Sequence, residues 1–283
     1  MRHGFLLIDK PQGPTSHDCV DTVRRVLGER KIGHLGTLDP AAEGLLVMAV
    51  GAKALKVVEL FSGLKKEYLA SVRFGAVSTT YDREGVIEEV NLRPGVPVPS
   101  DIDISNALKN RFLGKINQVP PAYSAVKIGG ERAYRKMRQG RGVSLPARKV
   151  EIDECKIVSY SYPGLVLQVK CGSGTYIRSL AHDLGAVLRC GGYLSILRRT
   201  KVGEWMVDSA VDPEKAKWTN VIPLKELLKR FPSVQLTSEQ ADDLCMGQDV
   251  RVQVGKDTIG WLGGLPVAVL VPDDGFAHAR KVL

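Results

Sequence analysis

The segment Lys31-Ile32-Gly33-His34-Leu35-Gly36-Thr37-Leu38-Asp39-Pro40 holds one carboxylate among small, sharply turning positions. Gly33 and Gly36 let the main chain turn or approach a ligand closely, and Pro40 restricts the peptide after Asp39. On these residues alone Asp39 reads equally as the cap of a turn, a common role for Asp before Pro. Two further segments change the balance. Lys66-Glu67-Tyr68 supplies an aromatic hydroxyl, and Gly174-Thr175-Tyr176-Ile177-Arg178 supplies a guanidinium. Taken singly, Tyr68 is an edge aromatic of a strand and Arg178 a helix-surface charge. Together with Asp39 they offer a nucleophile or base, a proton-carrying phenol and a cation to hold the acid ionised.

Other chemistries lack their residues. Gly172-Ser173-Gly174 has no third glycine for a dinucleotide loop, and no G-x-x-x-x-G-K-[ST] phosphate loop occurs. The five histidines include no H-E-x-x-H, and the five cysteines (Cys19, Cys155, Cys171, Cys190, Cys245) form no C-x-x-C pair. That spacing argues against a metal site and for reduced thiols in a cytoplasmic protein. No G-x-S-x-G elbow supports acyl transfer. Gly33-His34-Leu35-Gly36 fits the G-x-x-G clamp of some RNA-binding domains, a short and weak pattern.

Charge is unevenly placed. Residues 233 to 283 hold four Lys/Arg against seven Asp/Glu, a net of −3, while the first 232 hold 36 against 24, a net of +12. Between 127 and 149, Lys127, Arg132, Arg135, Lys136, Arg138, Arg141, Arg148 and Lys149 face the single acid Glu131. Such a run is a solvated face or a surface that tracks phosphates. No apolar run approaches the ~20 residues of a membrane span, and Phe5-Leu6-Leu7-Ile8, followed by Asp9-Lys10, reads as a strand and not a signal peptide.

The elements that must carry these groups follow from periodicity. Helices are expected at Ser16–Leu27 with Ser16 as N-cap, and at 52–60, 104–112, 131–138, 176–188 and 238–246. Strands are expected at 44–50, 67–74, 86–90, 123–128, 150–159, 165–171, 193–197, 250–254 and 267–271. Helices and strands mix without a regular βαβ beat. The expected class is therefore α+β, a mixed and mostly antiparallel sheet with flanking helices. Near Phe231-Pro232 the charge changes sign, so a domain of residues 1–231 and a small β-rich one of 232–283 are expected.

Seven ordered motifs identify a resemblance. Leu7-Ile8-Asp9-Lys10-Pro11-Gln12-Gly13, Gly33 to Pro40, Lys66-Glu67-Tyr68 and Ser78-Thr79-Thr80-Tyr81-Asp82-Arg83-Glu84-Gly85 come first. Pro120-Pro121-Ala122-Tyr123-Ser124-Ala125-Val126-Lys127, Gly174 to Leu180 and Leu197-Arg198-Arg199-Thr200 complete the set. Together they resemble the TruB family of pseudouridine synthases, with Ser78 where that family more often has Thr. The stretch from Leu236 to Gly247 more loosely resembles the family's PUA-like tail.

The resemblance implies a monomeric isomerase that turns the T-loop uridine 55 of tRNA into pseudouridine with no cofactor and no metal. It assigns Asp39 as the carboxylate acting at the sugar, Arg178 as the cation that offsets its burial, and Tyr68 as a base-stacking ring and proton acceptor. His34 would fill the space left by the extracted base, at roughly 1–3 kcal/mol for a stacked ring. Tyr176 would order the site and Leu197 would supply an apolar wall, while Lys10, Arg132 and Arg135 would meet the RNA. His34 reads otherwise as a turn histidine and Leu197 as ordinary core. The competing readings are a guide-RNA-dependent rRNA enzyme, a non-catalytic RNA-binding or chaperone protein, and a glycosidase pairing Asp39 with Glu43.

Overall fold

The computed structural model describes residues 3–90, 97–123, 127–128, 131–132 and 145–283, the short pieces at 127–128 and 131–132 as backbone. In chain order these residues form β1 (Gly4–Lys10), α1 (Ser16–Leu27), β2 (Ile32–His34), β3 (Glu43–Val50), α2 (Ala52–Lys56), β4 (Lys66–Phe74), β5 (Ala76–Ser78) and β6 (Ile87–Glu89). They continue with α3 (Asp101–Ala107), β7 (Gly114–Gln118), β8 (Lys127–Ile128), β9 (Glu131–Arg132), β10 (Arg148–Ser161), β11 (Gly164–Cys171), α4 (Ile177–Val187) and β12 (Gly192–Val202). The last elements are β13 (Trp205–Met206), β14 (Ile222–Pro223), α5 (Leu224–Leu228), β15 (Ser233–Gln235), α6 (Ser238–Cys245), β16 (Thr258–Leu262), β17 (Leu265–Asp273) and β18 (Phe276–Val282). This is the expected α+β class, with mostly antiparallel pairing and with β3 beside β12 and β15 beside β16 parallel.

Contacts divide the chain into two compact units: Met1–Leu38 with Leu46–Ser62 and Val207–Leu283, and Asp39–Leu45 with Gly63–Met206. In the second unit β12 lies antiparallel to β4, β4 to β11, β11 to β10 and β10 to β7. Strand β4 shows why it forms: Tyr68, Ala70, Val72 and Phe74 are buried while Leu69 and Arg73 face solvent, a period of two. Helix α4 turns Leu180, Ala181 and Leu184 onto this sheet, each large aliphatic burial contributing about 1.5–3 kcal/mol.

In the first unit β2 pairs with the end of β3, and β1 with β14. The four-stranded sheet β15-β16-β17-β18 belongs to the same unit, where the Lys56 Nζ donates to the Val282 carbonyl at 2.7 Å. Phe61 meets Phe231 edge-on, with 5.3 Å between ring centroids.

Several expectations change. The N-cap of α1 is Thr15, which accepts from the Asp18 amide while Asp18 accepts from the Thr15 amide, a full capping box. The expected helix at 52–60 stops at Lys56, where the β-branched Val57 precedes a 3-10 turn that Val58 begins. A helix does not start at Glu131: Glu131 and Arg132 pair antiparallel with Ile128 and Lys127. The remainder of that expected helix, with Arg135, lies outside the described residues. At 250–254 there is a single bridge from Val250 to Ala277, because the Val252 amide turns back to the Val250 carbonyl at 3.0 Å.

Candidate active site

Asp39 follows a residue held twice by one hydroxyl. The Ser16 Oγ donates to the Leu38 carbonyl at 2.8 Å and accepts from the Leu38 amide at 2.9 Å, so Ser16 serves the Asp39 segment and not the helix cap. Beyond Asp39, the Ala42 amide donates to the Asp39 carbonyl at 3.1 Å and closes the turn. The turn-cap and catalytic readings thus need not compete, because the turn uses the Asp39 main chain and leaves its carboxylate 43% exposed.

Arg178 occupies the opening turn of α4, where its side chain is 7% exposed. It stands between two carboxylates, with Nη2 3.0 Å from Asp39 Oδ2 and Nη1 3.2 Å from Asp82 Oδ2. It also donates to the Thr80 carbonyl at 3.2 Å and the Tyr123 carbonyl at 3.0 Å. A buried guanidinium is tolerated where its charge and its donors are met in this way. The planar fork fixes the direction of the Asp39 carboxylate.

Asp82, at 8% exposure, is itself fixed by Thr80 Oγ1 at 2.5 Å and by the Glu84 amide at 3.0 Å. The loop 78–85 folds tightly around these groups. A Cβ on Gly85 would lie 2.4 Å from Ser78 Oγ, 2.6 Å from Thr80 Oγ1 and 2.7 Å from Thr79 Oγ1. Tyr81 takes a φ of +66° and stacks on His182, with centroids 3.9 Å apart, while its carbonyl accepts from the Leu194 amide at 2.9 Å.

A shallow cleft at these groups is lined by Asp39, Ala42, Asp82, Arg178, Ile196 and Leu197 among others. Tyr68 is buried on β4, directly across from Arg199 of β12. Burial pushes its phenol above the ordinary value, and the Arg199 guanidinium opposes that shift. Tyr176 is the N-cap residue of α4 and its main chain is clamped by Gln118, which accepts from the Tyr176 amide at 2.8 Å and donates to its carbonyl at 3.0 Å.

The structure therefore brings Asp39, Arg178 and Leu197 to one cleft, with Tyr68 and Tyr176 in the same unit. His34, half-buried opposite Met48, and Lys10, buried with its Nζ donating to the Pro11 carbonyl at 2.9 Å, belong to the other unit and do not line the cleft. Arg132 is described as backbone only. Sequence reasoning missed Asp82, Arg199 and Gln118 as site residues. The first two stood inside quoted motifs, which was the available signal; Gln118 had none. Among the described residues no group of three His, Cys, Asp or Glu side chains is placed to hold a metal ion. Nor is any helix of those residues long and apolar enough to cross a membrane.

Comparison with known proteins agrees with this geometry. A family model described as the N-terminal domain of TruB family pseudouridylate synthases matches residues 24–177. Another, the tRNA pseudouridylate synthase B C-terminal domain, matches residues 178–219. The tRNA pseudouridine synthase B of Leifsonia xyli is 42% identical over 281 residues, covering 95% of this chain and 89% of the relative. That of Trichormus variabilis is 38% identical over 291 residues, covering 95% and 97%. A Cbf5-Nop10-Gar1 complex contains a chain of the same fold, with a TM-score of 0.71 at 23% identity, covering 99% of this chain and 84% of that one. With a family model over more than half of its length and relatives this similar from end to end, the chain belongs to the TruB family of pseudouridylate synthases.

Proposed function

We propose that the protein is a tRNA pseudouridine synthase that isomerises the T-loop uridine 55. The observation that carries this reading is a buried Arg178 joining the half-exposed Asp39 to the buried Asp82 in a cleft that Leu197 also lines. The reaction breaks the N1–C1′ bond, turns the uracil and rejoins it through C5, with no redox change and no atoms lost. Asp39 acts at the sugar, as nucleophile or base, and Arg178 keeps it aimed. The target uridine must be taken out of its stack at a cost of a few kcal/mol, and Leu197 supplies an apolar wall for the extracted base. Tyr68 accepts the proton that leaves C5, Tyr176 orders the site, and His34 fills the vacated space.

Lys10 and the basic segment with Arg132 and Arg135 meet the RNA backbone. Neutralising six or more phosphates would make affinity fall about a thousandfold from low to moderate salt. Residues 232–283 form a PUA-like RNA-binding tail on a catalytic domain of 1–231, in a cytoplasmic monomer.

Asp39→Asn tests the reading. The variant is expected to fold and to bind tRNA as the parent does, yet to release no tritium from C5-labelled uridine in a single turnover, since an amide is neither nucleophile nor base. Turnover within about tenfold of the parent overturns the reading, because a turn cap would cost no more than ~2 kcal/mol of stability and leave activity intact.

A further inference from the structure

Strand β12 carries Arg199 between two strands that each lead to a reacting group. On one side Arg199 is the parallel partner of Gly44, in the strand that follows Asp39; on the other it is the direct antiparallel partner of Tyr68. The first approach is so close that a Cβ on Gly44, whose φ is +100°, would stand 2.3 Å from the Arg199 carbonyl oxygen. Direct antiparallel partners share a face of the sheet, so the Arg199 guanidinium lies on the side of β4 that carries the Tyr68 ring, near enough to favour the ionised phenol against its burial. Arg199 is 1% exposed, and its Nε donates to the Leu45 carbonyl at 2.6 Å, which fixes the plane of the fork. A guanidinium has donors only, so toward Arg199 the phenol oxygen can serve only as an acceptor.

We propose that Arg199 is a positioning residue that acts through Tyr68, holding its oxygen ready to take the C5 proton of the rejoined base. The proposal rests on the pseudouridylation reading above and names a part of its machinery. Once the C1′–C5 bond exists, the C5–H bond breaks and its electron pair forms the C5=C6 double bond. The C6=N1 pair moves to N1, which takes a proton from water. The C5 proton passes to the Tyr68 phenolate, a minor form against the burial that raises the phenol, which has earlier released its own proton to water. A guanidinium facing the oxygen favours that phenolate.

The other groups that face Tyr68 do not replace Arg199. Cys171, on β11, is pushed up to about 11 by burial and is a neutral thiol at neutral pH. Asp39 disfavours a second negative charge. Lys66, on the same strand, is held below its ordinary value first by burial and then by Arg199 itself, and its Nζ donates to the Leu64 carbonyl at 3.0 Å.

The test is the pH dependence of single-turnover tritium release from C5-labelled tRNA by Arg199→Gln and Arg199→Lys, with tRNA binding and thermal melting measured alongside. Removing a guanidinium that lowers the phenol's pKa moves the rising limb of the profile to higher pH. Arg199→Gln is therefore expected to slow release about 30-fold near neutrality, with the deficit shrinking to about threefold at high pH. Arg199→Lys is expected to show a smaller shift in the same direction. Installing a ring-fluorinated tyrosine at position 68, whose phenol ionises more readily, should bring the Arg199→Gln limb back down. A loss of rate equal at every pH, or no rescue by the fluorinated ring, overturns the proposal. If Arg199→Gln does not fold, Arg199→Lys is judged by the same two criteria. Failure of the underlying reading looks different, since the parent would then form no pseudouridine or Asp39→Asn would remain active.

Discussion

Around Arg178 the chain buries charge, whereas the sheet β15–β18 buries hydrocarbon. In the first region a guanidinium and the Asp82 carboxylate are each less than a tenth exposed, and both are held by hydrogen bonds. In the second, the core is Leu236, Leu244, Val250, Ala268, Leu270 and Ala277, and the ion pairs stay outside. Arg280 reaches Asp257 at 2.7 Å and His278 reaches Asp249 at 2.7 Å on side chains that remain partly exposed. Buried charge is costly and is retained where its geometry is used, while buried aliphatic surface stabilises without directing anything. Changes in the first region should therefore appear in kcat and changes in the second in unfolding.

The largest effect should come from Arg178→Lys. A lysine presents a point charge and cannot hold two carboxylates and two carbonyls at once, so kcat is expected to fall by about 10³ with KM little changed. Single-turnover kinetics at saturating tRNA would check this, and a rise in KM alone would mean that Arg178 merely binds. Leu270→Ala in the apolar sheet should cost ~3 kcal/mol of stability in urea unfolding and leave kcat unaltered at temperatures where the variant is folded. A matching fall in kcat would erase the contrast between the regions.

Asp82→Asn keeps an acceptor for Thr80 and Glu84 but removes a charge from Arg178, and a loss of kcat of about 10- to 30-fold is expected. A loss as deep as that of Arg178→Lys would give Asp82 a share in the chemistry itself. The smallest effect concerns Asp183, one turn along α4, whose carboxyl burial pushes up to about 6. A raised carboxyl favours the fold while protonated, so that stability is present below the ordinary carboxylate value and lost as pH rises through about 6. Asp183→Asn, neutral at every pH, should thus melt higher than the parent at pH 8, by roughly 1 kcal/mol after allowance for partial exposure, and equal it at pH 3. A gain of the same size at both pH values would point to packing and not to charge.

The sequence by itself determined the class of fold, the helix at 16–27 and the strand carrying Tyr68, and it singled out Asp39 and Arg178 as candidates, because each rests on residues close together in the chain. Alternation marks a strand from within it, and a motif bounded by glycines advertises its own turn. Only the tertiary structure decided that Ser16 holds Leu38, that Gln118 clamps Tyr176 across 58 positions, and that Arg178 reaches the loop at Thr80 across 98. The same holds for Arg199, an unremarked arginine of a strand until pairing sets it beside Tyr68. A hydrogen bond has no signature in the spacing of its partners when an entire sheet intervenes. Register, which is fixed by the packing of every strand at once, chose which charged side chains would be buried and which phenol they would face.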